Sequence, residues 1–312
     1  MMKRTSLLMI VGLLCVACAS PPPPQPRALR DAQQNLQRGT AAYANDEYHL
    51  AANAFTEALD IYQSIDDSPG ILEASVNLIE TGITVGNSAV ARQRLEQLKQ
   101  RFAAELEPSD ALRLTLLEVR LLHAESKPET ALALLRPLWP AFDQQQRPVD
   151  AGPYRLAIIA ATARLMRQTN HAEARLWLQR LANVLQSDEN ASPRYRALLL
   201  RLQADQLAGD GESMAARESK LREALAIYRQ LVFRRGIGAT LQQLAELEVQ
   251  RDALAAADGL YQRALKIQLW TLDREAAIEV LRALVEVNRS LGDGEDVERF
   301  TGQLESLLQV AR

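Results

Sequence analysis

The residue types that usually carry chemistry are sparse in this chain of 312 residues: three histidines, His49, His123 and His171, and two cysteines, Cys15 and Cys18. The histidines are isolated, so none forms the helical pair that would present two imidazoles to a zinc ion, and no metal site is expected. No Gly-x-Ser-x-Gly elbow, phosphate loop or dinucleotide fingerprint occurs. Arg235-Gly236-Ile237-Gly238 is rich in glycine, but no strand precedes it, and it reads as a turn between helices. Carboxylates are many and spaced as solvated helix-surface pairs, which offers no basis for general acid–base work. The chain reads as a non-enzyme without a cofactor. The residue whose setting does point to a covalent event is Cys18.

Lys3 and Arg4 precede an apolar stretch from Leu7 to Ala17 broken only by Gly12, the anatomy of a secretory signal peptide over residues 1–17. Eleven residues rising about 1.5 Å each do not cross a bilayer core of about 30 Å, and no apolar run elsewhere is long enough to span one. Cys15-Val16-Ala17-Cys18 resembles the bacterial lipobox, with Cys15 where leucine is usual. That resemblance implies acyl chains, palmitate among them, on Cys18 as the first mature residue. It also implies, from Ala19 at the next position, an outer-membrane anchor facing the periplasm. The other reading of the same residues is ordinary cleavage after Ala17-Cys18-Ala19. Lipidation leaves the mature chain with neither disulfide nor free thiol. Residues 18–31 then form a tether, since Pro21-Pro22-Pro23-Pro24-Gln25-Pro26 takes only extended polyproline geometry, at about 3.1 Å per residue.

Past the tether, one pattern recurs seven times. Residues spaced four and then three apart fall at Ala51/Phe55/Ala58, Ala91/Leu95/Leu98, Ala131/Leu135/Leu138 and Ala174/Leu178/Leu181, then at Arg217/Leu221/Ala224, Ala257/Tyr261/Ala264 and Val297/Thr301/Leu304. First members stand 40 or 43 residues apart. That inner spacing places three side chains on one helical face. A turn signal precedes each triplet, as at Asn45-Asp46, Gly86-Asn87 and Gly292-Asp293-Gly294. The pattern is similar to the tetratricopeptide repeat, whose second helix carries a small–aromatic–small triplet. The resemblance implies an all-α, right-handed superhelical solenoid of about seven such helix pairs over residues 32–312, with first helices lining a concave face. Each pair buries its apolar stripe only against the next, so the chain grows in one dimension. Pro137 interrupts the third repeat, and Leu138-Trp139-Pro140-Ala141-Phe142 is expected to form a packed kink, the rival reading being a hinge that exposes an aromatic anchor. At the carboxyl end, Leu304, Leu307, Leu308 and Val310 either face inward or support self-association.

Lys and Arg number 36 against 39 Asp and Glu, a net charge of −3, and aromatic residues make up 5%. Neither a basic surface nor stacking platforms exist for nucleic acid. His49 and His171, at the starts of second helices, are expected on the surface. The polar side chains expected on the concave face are Glu73, Asn77, Glu80, Arg113, Arg120, His123, Arg167, Gln203, Gln206, Gln242, Gln243, Glu246, Glu279, Arg282, Glu286 and Arg289. With arginines placed to pair carboxylates, this face suits a segment of a partner protein. The expected function is a lipid-anchored periplasmic scaffold that binds envelope proteins in its groove. The alternative is a pilotin-like chaperone that brings a secretin or another envelope complex to the outer membrane.

Overall fold

The computed structural model describes residues 26–147, 149, 152, 154–209 and 214–309; the signal peptide, Cys18, Pro21–Pro24 and Val310 lie outside them. Among the described residues there is no β-strand. Fourteen α-helices among the described residues pair as seven hairpins: α1 (Arg27–Ala44) with α2 (Tyr48–Ser64), α3 (Ser68–Thr84) with α4 (Ser88–Arg101), and α5 (Pro108–Ala124) with α6 (Pro128–Leu135). Then come α7 (Arg155–Gln168) with α8 (Ala174–Ser187), α9 (Pro193–Gly209) with α10 (Met214–Gln230), α11 (Arg234–Gln250) with α12 (Leu254–Trp270), and α13 (Arg274–Leu291) with α14 (Gly294–Gln309). The hairpins stack into a right-handed superhelical solenoid. Beyond neighbours in sequence, contacts join α1 to α3, α3 to α5, α7 to α9 and α11 to α13, all first helices. Curvature therefore crowds the first helices together on the inner side and spreads the second helices outside.

The seven triplets all begin in second helices, and their side chains form the seams between hairpins. Ala51, Phe55 and Ala58 are at most 2% exposed, and Ala257, Tyr261 and Ala264 at most 4%. Where a second-helix ring packs directly on a first-helix backbone, the residue beneath it is glycine. At Gly39 a Cβ would stand 2.5 Å from the Phe55 ring, and at Gly236 2.6 Å from that of Tyr228. Gly236 and Gly238 thus lie in the opening turns of α11, not in a turn between helices: ring packing against the backbone requires glycine at 236, and a Cβ at 238 would stand 3.2 Å from Ile267 Cγ2. Within hairpins the chain reverses through a left-handed residue at a recurring position: Asp46, Ser126, Asn170 and Asp252, with Gly86 and Gly292 at φ 77°. Asx and serine side chains tolerate that conformation and glycine favours it.

Three local expectations change in detail. The first helix starts at Arg27, five residues before the expected solenoid boundary at 32, directly after Pro26, and its Ala32 is fully buried. At Pro137, α6 stops after Leu135 and a single 3₁₀ turn, Arg136–Leu138, follows, so Leu138 leaves the helical face of its triplet. The kink is packed. Trp139 lies 4.8 Å from the buried Trp177, Phe142 meets Trp177 edge-on at 5.6 Å, and the Arg180 guanidinium covers Phe142 at 4.0 Å. In α14 the buried aromatic is Phe300, at 3% exposure, while Thr301 is half-buried. Leu304 and Leu307 pack inward on the last core cluster, Leu308 is exposed, and Arg274 donates to the Leu307 carbonyl at 3.0 Å.

Candidate functional site

The solenoid curls until its sixth hairpin meets its first. Arg234, at the start of α11, donates to Asp46 Oδ2 at 2.6 Å and to the Asn45 carbonyl at 3.2 Å, across 188 residues of sequence. Arg235 beside it donates to the Thr84 carbonyl at the end of α3, to Asp273 Oδ2 at 2.9 Å and to the Thr271 carbonyl at 3.1 Å. Its guanidinium also stands 5.7 Å from the Tyr48 ring. The Asp46 side chain is only 8% exposed, so this contact is a charge-assisted one held away from bulk water. The first helices consequently surround a lumen.

The expected groove residues sit on those first helices: Glu73, Asn77 and Glu80 on α3, Arg113, Arg120 and His123 on α5, Arg167 on α7, and Gln203 and Gln206 on α9. Gln242, Gln243 and Glu246 follow on α11, and Glu279, Arg282, Glu286 and Arg289 on α13. Stacking brings residues about one period apart side by side. Arg113 pairs Glu73 and Arg120 pairs Glu80, each 40 residues away. The guanidinium at Glu73 holds that carboxyl below the usual range despite its partial burial. Further along, Arg167 donates to Gln206 Oε1 at 3.2 Å and to the Asp205 carbonyl at 3.1 Å. Gln243 accepts from Arg201 Nε at 2.5 Å and donates to Asp205 Oδ1 at 2.6 Å. Gln242 reaches Glu246 at 3.3 Å and Glu279 at 3.5 Å. Gln203 accepts from Lys220 on α10. Glu286 and Arg289 pair with each other on one helix, and Arg282 is exposed.

Charge is not evenly spread along this lumen. At the middle hairpins, Arg164 on α7 is open to solvent by surface area, yet the surrounding protein and the nearby Arg201 and Arg194 lower its pKa to about 10. His123, desolvated and facing Arg164, is lowered to about 4, and its buried Nδ1 has no partner. Toward the carboxyl end the sign reverses. Burial raises the pKa of Asp205, and burial with the neighbouring Asp205 and Glu279 raises that of Glu246. Glu275 is raised in the same way, by burial and then by Asp273 and Glu279. Of the other histidines, His49 is exposed, and His171 accepts at Nδ1 from the Glu173 amide. No group of three or more His, Cys, Asp or Glu that could hold a metal ion exists among the described residues, and no described helix is long and apolar enough to cross a membrane.

No family model and no curated protein matches the chain. Among solved structures, a Rap protein complexed with competence and sporulation factor superposes with a TM-score of 0.62 at 12% identity, over 89% of this chain and 76% of that one. The Rap conjugation gene regulator of plasmid pLS20, in complex with the Phr* peptide, superposes with a TM-score of 0.63 at 14% identity, over 81% of this chain and 66% of that one. The fold is a tetratricopeptide-like solenoid. Sequence reasoning missed Arg164, Arg194, Arg201, Asp205, Arg234 and Arg235. Arg164 was within reach, since it stands three residues before Arg167 and shares its helical face. The contacts of Arg234 and Arg235 had no local signal, because they depend on the superhelix returning upon itself.

Proposed function

We propose that the chain is a protein-interaction scaffold that holds an extended segment of a partner protein in its lumen, tethered to the outer membrane through lipid on Cys18 and facing the periplasm. The observation that carries the reading is the lumen: successive first helices line it with polar side chains. Two chains of the same fold, the Rap proteins above, are described in complex with competence and sporulation factor and with the Phr* peptide, which supports a segment as occupant. An ordered inner wall lowers the entropic cost of fixing such a segment, since the side chains that meet it are already positioned. Second helices leave an outer face free for further partners, as a scaffold needs. The contact of Arg234 with Asp46 favours a second reading: one client gripped at a time, as a pilotin-like escort would do.

Site-specific photo-crosslinking in cells tests both. A crosslinker at Gln242 or Arg282 is expected to capture a partner segment, and one at Gln97 on the outer helix α4 to capture a different protein if the chain is a scaffold. Capture from the lumen alone selects the escort. Capture from Gln97 alone sinks the lumen as the binding site. Radiolabelled palmitate is expected in the wild-type product and absent from Cys18→Ala; label in neither removes the lipid anchor.

A further inference from the structure

Resting on the scaffold reading for its role, we infer that the convex face carries a second binding site. It is a cleft between α2 and α4 that takes a short partner segment in which a carboxylate stands beside an apolar side chain. Curvature spreads the second helices, and between these two it leaves about 410 Å³ above α3. The floor is apolar: Ile71 on α3 and Leu98 on α4 are buried there, and Val90 at the wall stays 44% exposed. Ser75 on α3 adds a hydroxyl that makes no hydrogen bond with any described residue. A hollow with an apolar floor and a few convergent polar groups is the setting in which ligands are held.

The charge in this cleft has one sign. Arg94 and Arg101 line it, and no Asp or Glu does. Of the four cations of α4, Arg92 and Lys99 are engaged by the next hairpin, pairing Glu125 at 2.6 Å and Glu118 at 2.5 Å. Arg101 reaches Asp66 at 3.8 Å, but both side chains are exposed, so water screens that pair. Arg94 is half-buried and makes no hydrogen bond or ion pair with any described residue. Stacking does not demand these arginines. One period earlier the same positions hold Ala54 and Ile61, and one period later Leu134 and Ala141. A carboxylate entering the cleft therefore gains charge-assisted hydrogen bonds from Arg94 without displacing an internal partner. Arg101, two turns along the same helix face, adds attraction, and the neighbouring apolar side chain covers the floor. Because the cleft lies outside the lumen, one molecule can hold one segment inside and another outside, as a scaffold requires.

The test selects random peptides, displayed on phage, on the purified protein, and titrates the recovered peptides by fluorescence anisotropy. Expected are peptides with Asp or Glu next to Leu, Ile, Val or Phe that crosslink to a photoreactive group at Gln97 and not to one at Gln242. Arg94→Gln should weaken them at least about tenfold, the scale of a charge-assisted hydrogen bond, and Arg94→Glu further. The melting temperature of Arg94→Gln should match wild type, since no internal partner is lost. Arg263→Gln, the same charge change on the exposed face of α12, should leave the affinity unchanged. Peptides that bind equally when their residue order is scrambled, or that ignore Arg94→Gln, overturn the cleft as a specific site. If every recovered peptide crosslinks at Gln242 instead, the cleft falls and the luminal site stands. Recovery of no peptide at either position overturns both.

Discussion

Among single residues His123 shows most clearly what the lumen does to chemistry. Desolvation and the neighbouring Arg164 depress its pKa from 6.5 to about 4. The unfolded chain therefore binds a proton at this position between about pH 6.5 and pH 4 that the folded chain refuses, and stability falls as pH drops through that window. His123→Gln should lose less melting temperature than wild type between pH 7 and pH 4.5, followed by circular dichroism. Carboxylates held low by arginines, such as Glu73 and Glu125, lose their stabilisation on acidification in both proteins, so the difference isolates the histidine. Equal losses would show that His123 is solvated. Sequence alone placed His123 in a groove but not beside Arg164, which belongs to the next hairpin. The pairing of Arg113 with Glu73 was hidden for the same reason: two residues 40 positions apart touch only once the period becomes a physical stack.

Between residue and solenoid stand the hairpins, and their joints carry strain. Val232, between α10 and α11, takes φ 50°, and Leu272, between α12 and α13, takes φ 53°; a β-branched side chain in the left-handed region is unfavourable. Val232 is 60% exposed, so no packing offsets that strain. Val232→Asn should raise stability by about 1 kcal/mol in denaturant melts, the typical penalty of a left-handed residue with a Cβ that asparagine partly escapes. No change, or a loss, would mean the exposed valine makes a stabilising contact. Helix positions and turns were largely legible, because 3.6-residue spacing and turn residues are local properties. The path at Pro137 was legible only as a break: proline ends the helix, but the fit of Trp139 and Phe142 around Trp177 is set by α8, 35 or more residues later.

Across the whole molecule, the decisive contact joins repeats that are distant in sequence. Arg234 and Arg235 tie the sixth hairpin to the first and second, and without Arg234 the nearly buried Asp46 would keep the Tyr48 hydroxyl as donor but lose its counter-charge. Arg234→Ala with Arg235→Ala should open the superhelix, seen as a larger radius of gyration by small-angle X-ray scattering with helix content by circular dichroism unchanged. An unchanged radius would show that stacking alone sets the curl. The sequence by itself determined that the chain is helical, that it repeats every 40 to 43 residues and which faces are apolar, since each follows from spacing within one or two helices. Only the tertiary structure decided how tightly the stack curls and which inner charges satisfy one another. Those depend on small rotations between hairpins that accumulate over the solenoid, and no local pattern encodes their sum.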